Sequence, residues 1–223
     1  MVNSIQFKRD LKKEFNVNAK CIYNPLNHDE IMKKTKKKSK KIFTNKKQLK
    51  ILNIGRFTEQ KDQITLLKAL NQIKETIKFE VIIIGRGKLH KELSEYILKN
   101  NLNQFIKIID FVDNPFPLLK QAELFILSSR YEGLPNVLLE ALTLKKFIIS
   151  SRCPTGPQEI LLNGKGGLLF DVGNHNQLAN KILYYKKNKK KCLLMLKHAR
   201  KKLNRFDYQT NLKKYLNLVN QIS

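Results

Sequence analysis

From Lys47 onward the chain alternates short apolar runs with longer amphipathic stretches. The runs are Leu49–Ile54, Phe79–Ile84, Phe105–Ile109, Leu124–Leu127, Phe147–Ser150 and Gly167–Phe170. Each has the length of a strand, and most are apolar almost throughout rather than alternating, the pattern of strands buried on both faces. Between them lie segments with helical spacing, as in Ile64, Leu67, Leu70 and Ile73. They predict helices over Asp62–Glu75, Leu89–Asn100, Pro115–Ala122, Pro135–Leu144, Pro157–Leu162 and His175–Leu203. Strands that alternate with helices make a parallel sheet covered on both faces. Right-handed crossovers then wind it doubly, giving a Rossmann-like α/β fold. Residues 1–47 do not fit as a domain. Ile5–Phe15 reads as a short amphipathic helix, Ala19–Tyr23 as a strand ending at Asn24-Pro25, and Lys33–Lys41 as a lysine run on a linker.

Two loops in this scheme carry candidate chemistry. In Glu132-Gly133-Leu134-Pro135-Asn136-Val137-Leu138-Leu139-Glu140-Ala141, a Gly-Leu-Pro turn feeds a helix. Pro at the first helical position gives up an N–H that would have no partner there. The free amides at that start, such as those of Asn136 and Val137, suit an anion. Glu132 would precede the helix and Glu140 would sit inside it, placing two acids at opposite ends of a sugar-nucleotide. A capped amphipathic helix with two solvated glutamates fits this stretch equally well.

The second loop, Gly55 to Lys61, follows the first apolar run. In open α/β sheets, ligands bind beyond the carboxyl ends of strands. Arg56 and Lys61 are placed there to neutralise a diphosphate, and Gly55 allows close backbone approach. Taken singly, each cation also fits a surface pair in a lysine-rich chain. The turn Gly85-Arg86-Gly87 continues as Lys88-Leu89-His90, so the dinucleotide pattern Gly-x-Gly-x-x-Gly is absent and NAD chemistry is disfavoured.

Together these segments resemble the family-4 retaining glycosyltransferases of the two-domain GT-B fold. The resemblance rests on Gly55-Arg56 with Lys61, on Phe79–Gly87, and on Glu132-Gly133-x-Pro135 with Glu140-Ala141. Ser150–Ile160, with its Cys153-Pro154-Thr155-Gly156-Pro157 loop, and Gly166–Phe170 extend it over residues 48 to 223. It implies one half of a GT-B enzyme, with three parts. Residues 1–47 would be the exit of a first domain plus a basic linker, and most of that domain would be missing. Residues 48–205 would bind the nucleotide-sugar. Residues 206–223, with a helix over Gln209–Ile222, would cross back toward the first domain, leaving Tyr215, Leu216 and Val219 partly uncovered. The implied reaction moves a hexose or N-acetylhexosamine from a UDP-sugar, with retention, to a glycan or lipid-linked acceptor.

The resemblance also assigns roles. Glu132 would hold the donor sugar as the catalytic carboxylate, and Glu140 the ribose hydroxyls. Arg56, Lys61 and the amides of Gly133, Leu134, Asn136 and Val137 would hold the phosphates. The backbone near Phe111 and Val112 would read the base. No Asp-x-Asp pair is present, so no metal and no cofactor are expected beyond the donor. A second reading stays open: a donor-binding subunit or decayed fragment of a split enzyme, without catalysis of its own. Its partner would be a separate first-domain chain. The chain alone is expected to transfer little sugar.

Composition narrows the remaining classes. Hydrophobic residues make up 42% of 223, enough for a core. No run reaches the length of a membrane span, and the N-terminus has no signal-peptide core. Cys21, Cys153 and Cys192 have no metal or redox spacing, so reduced thiols and a cytoplasmic site are expected. Lys and Arg number 44 against 18 acids, a net charge of +26. Heavy use of Lys, Asn and Ile points to nucleotide bias as much as to function. Nucleic acid is disfavoured as a partner because no aromatics interleave with the basic runs. The lysines at Lys186–Lys191 and Lys197–Lys202 flank apolar Cys192–Leu196, which suits a helix lying on an anionic membrane surface, or one packed on the sheet.

Overall fold

The apolar runs form strands because branched side chains pack well on a pleated surface with both faces to bury. In the computed structural model, which describes residues 1–221, six of them pair in parallel. They are β1 (Leu49–Ile54), β2 (Phe79–Ile84), β3 (Ile106–Ile109), β4 (Leu124–Leu127), β5 (Phe147–Ser151) and β6 (Leu168–Phe170). The order across the sheet is β3-β2-β1-β4-β5-β6, the doubly wound arrangement. Chain direction across the sheet reverses between β1 and β4, and a crevice opens there beyond the strand ends.

The helices are α1 (Ile5–Phe15), α2 (His28–Lys34), α3 (Gln63–Ile73), α4 (His90–Lys99), α5 (Phe116–Leu119) and α6 (Asn136–Thr143). They continue as α7 (Pro157–Ile160), α8 (His175–Lys187), α9 (Lys189–Lys201) and α10 (Tyr208–Val219). The core is fully buried Leu49, Ile51, Leu66, Phe79, Phe125 and their neighbours between sheet and helices. Asp62 starts α3 as its N-cap, accepting from the amide of Thr65. The expected end of the last helix, Ile222, lies outside the described residues.

Three expectations need correction. The single helix over His175–Leu203 is two helices, broken at Asn188, whose side chain donates to the Tyr184 carbonyl at 3.0 Å and closes α8. The break lets α9 turn Cys192, Leu196 and Ala199 onto the core. Ala19–Tyr23 is no strand; an isolated bridge joins Cys21 to Val2, because no neighbouring strand among the described residues offers a ladder. Pro135 is the N-cap of α6, not its first helical residue, with ψ 103°.

Residues 1–47 touch the sheet domain at several points. The Asn24 side chain donates to the Leu134 carbonyl and to Asn136 Oδ1, at 3.3 and 3.0 Å. Phe43 is buried against the sheet, and the amide of Thr44 donates to Glu80. The C-terminal segment meets the same region: Leu26 N donates to the Phe206 carbonyl at 2.8 Å, and the Tyr23 and Phe206 rings lie 4.7 Å apart. Tyr215, Leu216 and Val219 are 42%, 54% and 50% exposed.

Candidate nucleotide-sugar site

The first wall of the site comes from two glycine turns that interlock. A side chain on Gly85 would overlap the carbonyl oxygen of Gly55, and one on Gly87 would overlap the backbone of Phe57. Glycine at both positions lets the loops after β1 and β2 touch, with Phe57 N donating to the Arg86 carbonyl at 2.9 Å. This fixes Arg56 and Arg86 side by side at the strand ends. Arg86 lies over the Phe111 ring, 4.9 Å from its centroid.

A cleft of about 630 Å³ opens over these turns, a size suited to a small ligand. Arg56, Lys61, Phe111, Val112 and Glu140 all line it, together with Lys34, Arg86, Asp113 and Phe116. Five expected residues, from the loops after β1 and β3 and from α6, thus meet in one concavity. Glu140 sits in the second turn of α6. Burial raises its pKa above the ordinary carboxylate value, and the Lys34 ammonium works against that rise.

Glu132 adjoins the cleft through Lys61. Its Oε1 lies 2.5 Å from Lys61 Nζ and accepts from Ser129 Oγ at 2.6 Å. The Lys61 and Glu132 side chains are 17% and 8% exposed, so this is a largely buried ion pair. The Thr155 hydroxyl donates to the Glu132 carbonyl, tying the Cys-Pro-Thr-Gly-Pro loop to the same turn.

Gly133, Leu134, Asn136 and Val137 do not line the cleft itself; Asn136 lines an adjoining recess that shares Lys34, Phe116 and Glu140 with it. Leu134 is buried, Val137 packs against the core, and the Asn3 carboxamide lies over Gly133. The amides of Asn136 and Val137 make no hydrogen bond among the described residues, so they remain available to an anion. The Glu159 carboxylate, on α7, accepts from Ile5 N at 3.0 Å and from the Tyr23 hydroxyl, anchoring residues 1–23.

Sequence reasoning missed Lys34, Arg86, Asp113 and Phe116. Arg86 carried a signal, since it follows β2 as Arg56 follows β1. Lys34 carried none: it lies within a lysine run, and only the folding of α2 over the sheet brings it to Glu140. Among the described residues, no three or more His, Cys, Asp or Glu side chains gather where a metal ion could be held.

A doubly wound parallel sheet with a cationic cleft at its carboxyl edge is the architecture of a GT-B glycosyltransferase domain. The chain belongs to the family Glycosyl transferases group 1, which matches residues 34–202. It is 37% identical over 146 residues to an uncharacterized glycosyltransferase of Methanocaldococcus jannaschii, covering 64% of this chain and 36% of that protein. It is 30% identical over 128 residues to a Campylobacter jejuni N-acetylgalactosamine-N,N'-diacetylbacillosaminyl-diphospho-undecaprenol 4-alpha-N-acetylgalactosaminyltransferase, covering 57% of this chain and 34% of the relative. Among solved structures, Anabaena HepE in complex with UDP and glucose superposes with a TM-score of 0.83 at 20% identity, over 99% of this chain and 62% of that one. That likeness shows the fold alone. The chain spans about a third of the length of these two curated relatives.

Proposed function

We propose that this chain binds a UDP-sugar and serves as the donor half of a retaining glycosyltransferase of family 4. The observation that carries the reading is the meeting of Arg56, Lys61 and Glu140 in one cleft, with Glu132 held against Lys61. Carboxylates accept from pairs of hydroxyls. Glu140 takes the ribose, Glu132 the donor sugar, and Arg56, Lys61 and the free amides of α6 take the diphosphate. The base lies toward Phe111 and Val112. As the nucleoside diphosphate leaves, charge grows on its phosphates, and these fixed cations and amides stabilise it without rearranging. Glu132 pairs with Lys61, so a bound donor would share that cation between a carboxylate and a phosphate. No metal is part of this proposal, because two cations and a helix start supply the positive charge. UDP and glucose in the HepE complex support the choice of donor class.

The acceptor is proposed to be a glycan or a lipid-linked sugar, in keeping with the undecaprenol-linked substrate in the name of the Campylobacter relative. Its pocket would lie on a companion domain, in the same polypeptide or a separate chain, facing the exposed Tyr215 and Leu216 of α10. Reaction in the cytoplasm, where nucleotide-sugars are made, follows from this reading. A screen of nucleotide-sugars by calorimetry tests the proposal: UDP-hexoses or UDP-N-acetylhexosamines should bind, and binding confined to dinucleotides or to none would sink it. Transfer by the chain alone should be slight, because an open cleft holds a donor without positioning an acceptor.

A further inference from the structure

Helix α9 presents to solvent a face that the fold does not use. Its inner face is Cys192, Leu196 and Ala199, spaced three and four apart and buried. Leu194, at the opposite pole, is 68% exposed, and Leu193 beside it is 56% exposed. The helical neighbours of Leu194 one turn away are Lys190, Lys191, Lys197 and His198, with Lys201 a turn further. No acidic residue stands between Asp171 and Asp207 to offset them. The cations that serve the fold point elsewhere: Lys189 pairs with Glu123 at 2.5 Å, and Arg200 Nε donates to the Leu142 carbonyl at 3.1 Å.

We propose that the outer face of α9 docks on an anionic lipid bilayer, with Leu193 and Leu194 inserted among the headgroups and the lysines on the lipid phosphates. The charge alone would suit any polyanion. Two adjacent exposed leucines at the centre of the basic face select a bilayer, because a nucleic-acid backbone offers nothing to bury them against. An interfacial helix needs this pairing of apolar insertion and flanking charge. Each lysine near the surface adds attraction that salt weakens. Lys Cγ and Cδ stems can lie along the interface while their ammonium groups stay in water. The surface is separate from the cleft, so the inference stands whether or not UDP is the ligand.

Vesicle flotation with the full chain tests it. Vesicles of phosphatidylcholine alone are compared with vesicles containing phosphatidylglycerol, at low and high salt. The wild type should float with the anionic vesicles at least about tenfold more than with the neutral ones. Leu193→Ser with Leu194→Ser, both at exposed positions, should lose most of that flotation while thermal melting is unchanged. Lys190→Gln, Lys197→Gln and Lys201→Gln together should lose it too. Lys36→Gln, Lys37→Gln and Lys38→Gln, which remove the same charge from an exposed run elsewhere, should leave most of it. Equal loss from the two lysine triples would overturn the placement on α9. Wild-type flotation by the double serine variant would overturn the insertion, as would RNA binding that outcompetes anionic vesicles.

Discussion

Lys61 does two jobs in this account, and its removal separates them. Its ammonium lies 2.5 Å from Glu132 Oε1, and its stem packs beside Gly55. Lys61→Met keeps the stem and deletes the charge. Glu132 is 8% exposed, so it would be left as a nearly buried carboxylate with Ser129 as its remaining side-chain donor. Breaking one side of a buried pair costs about 3–5 kcal/mol. Lys61 keeps 17% exposure and the Ser129 hydrogen bond survives, so the low end applies, about 3 kcal/mol. For a chain of this size that lowers Tm by about 6–12 °C. Adding Glu132→Gln removes the orphaned charge and should restore about 2 kcal/mol of the loss. Urea denaturation of the four proteins in the cycle measures the coupling. Lys68→Met, at an exposed position on α3, controls for the lower net charge and should change stability little. Strictly additive effects, or a single-variant loss below about 1 kcal/mol, would show that the pair is not a buried unit.

The other predictions concern the ligand. Arg56→Ala should weaken UDP binding by about 1.5–3 kcal/mol, some tenfold or more, and leave uridine binding unchanged; equal losses would place Arg56 away from the phosphates. Burial raises the Glu140 pKa, so above the ordinary carboxylate range the folded chain keeps a proton that the unfolded chain has lost. Stability should therefore fall, and UDP affinity rise, as pH climbs from the ordinary carboxylate value to the raised one. Glu140→Gln should flatten both slopes, and a pH-independent wild type would contradict the assignment. The chain has no tryptophan, so Phe111→Trp creates a single fluorescent reporter at the base end of the cleft. Uridine and UDP should perturb its emission alike, and a silent spectrum at saturating UDP would move the base elsewhere. Glu132→Gln should spare UDP affinity while slowing transfer in an enzyme completed by its acceptor half; a parallel loss of both would make Glu132 a general donor contact.

What could be read from the chain depended on how local the cause was. The strands were legible because each is a short, mostly apolar run, and the parallel, doubly wound sheet followed from their alternation with helices. Arg56 and Lys61 could be placed at the carboxyl edge of the sheet because they follow the first strand, and Glu140 because its helix follows the Gly-Leu-Pro turn, whereas Phe111 and Val112 came from the family resemblance. The break at Asn188 was hidden because lysines and leucines on both sides suit a helix equally well. The single strand expected at Ala19–Tyr23 failed because a strand needs a neighbour, which β-rich composition does not guarantee. Lys34 was invisible for a different reason. Its place beside Glu140 arises from the packing of α2 over the cleft, through the Asn24 contacts and the hydrogen bond from Asn114 Nδ2 to the Lys34 carbonyl.

The most direct measurement of the central claim is a calorimetric titration of the wild-type chain with UDP and with uridine, each in the presence of chelator. The account predicts that UDP binds, that chelator leaves its affinity unchanged, and that uridine binds at least about tenfold more weakly, because the diphosphate meets Arg56 and Lys61 through charged hydrogen bonds. UDP that binds no better than uridine, or whose binding chelator abolishes, would contradict it.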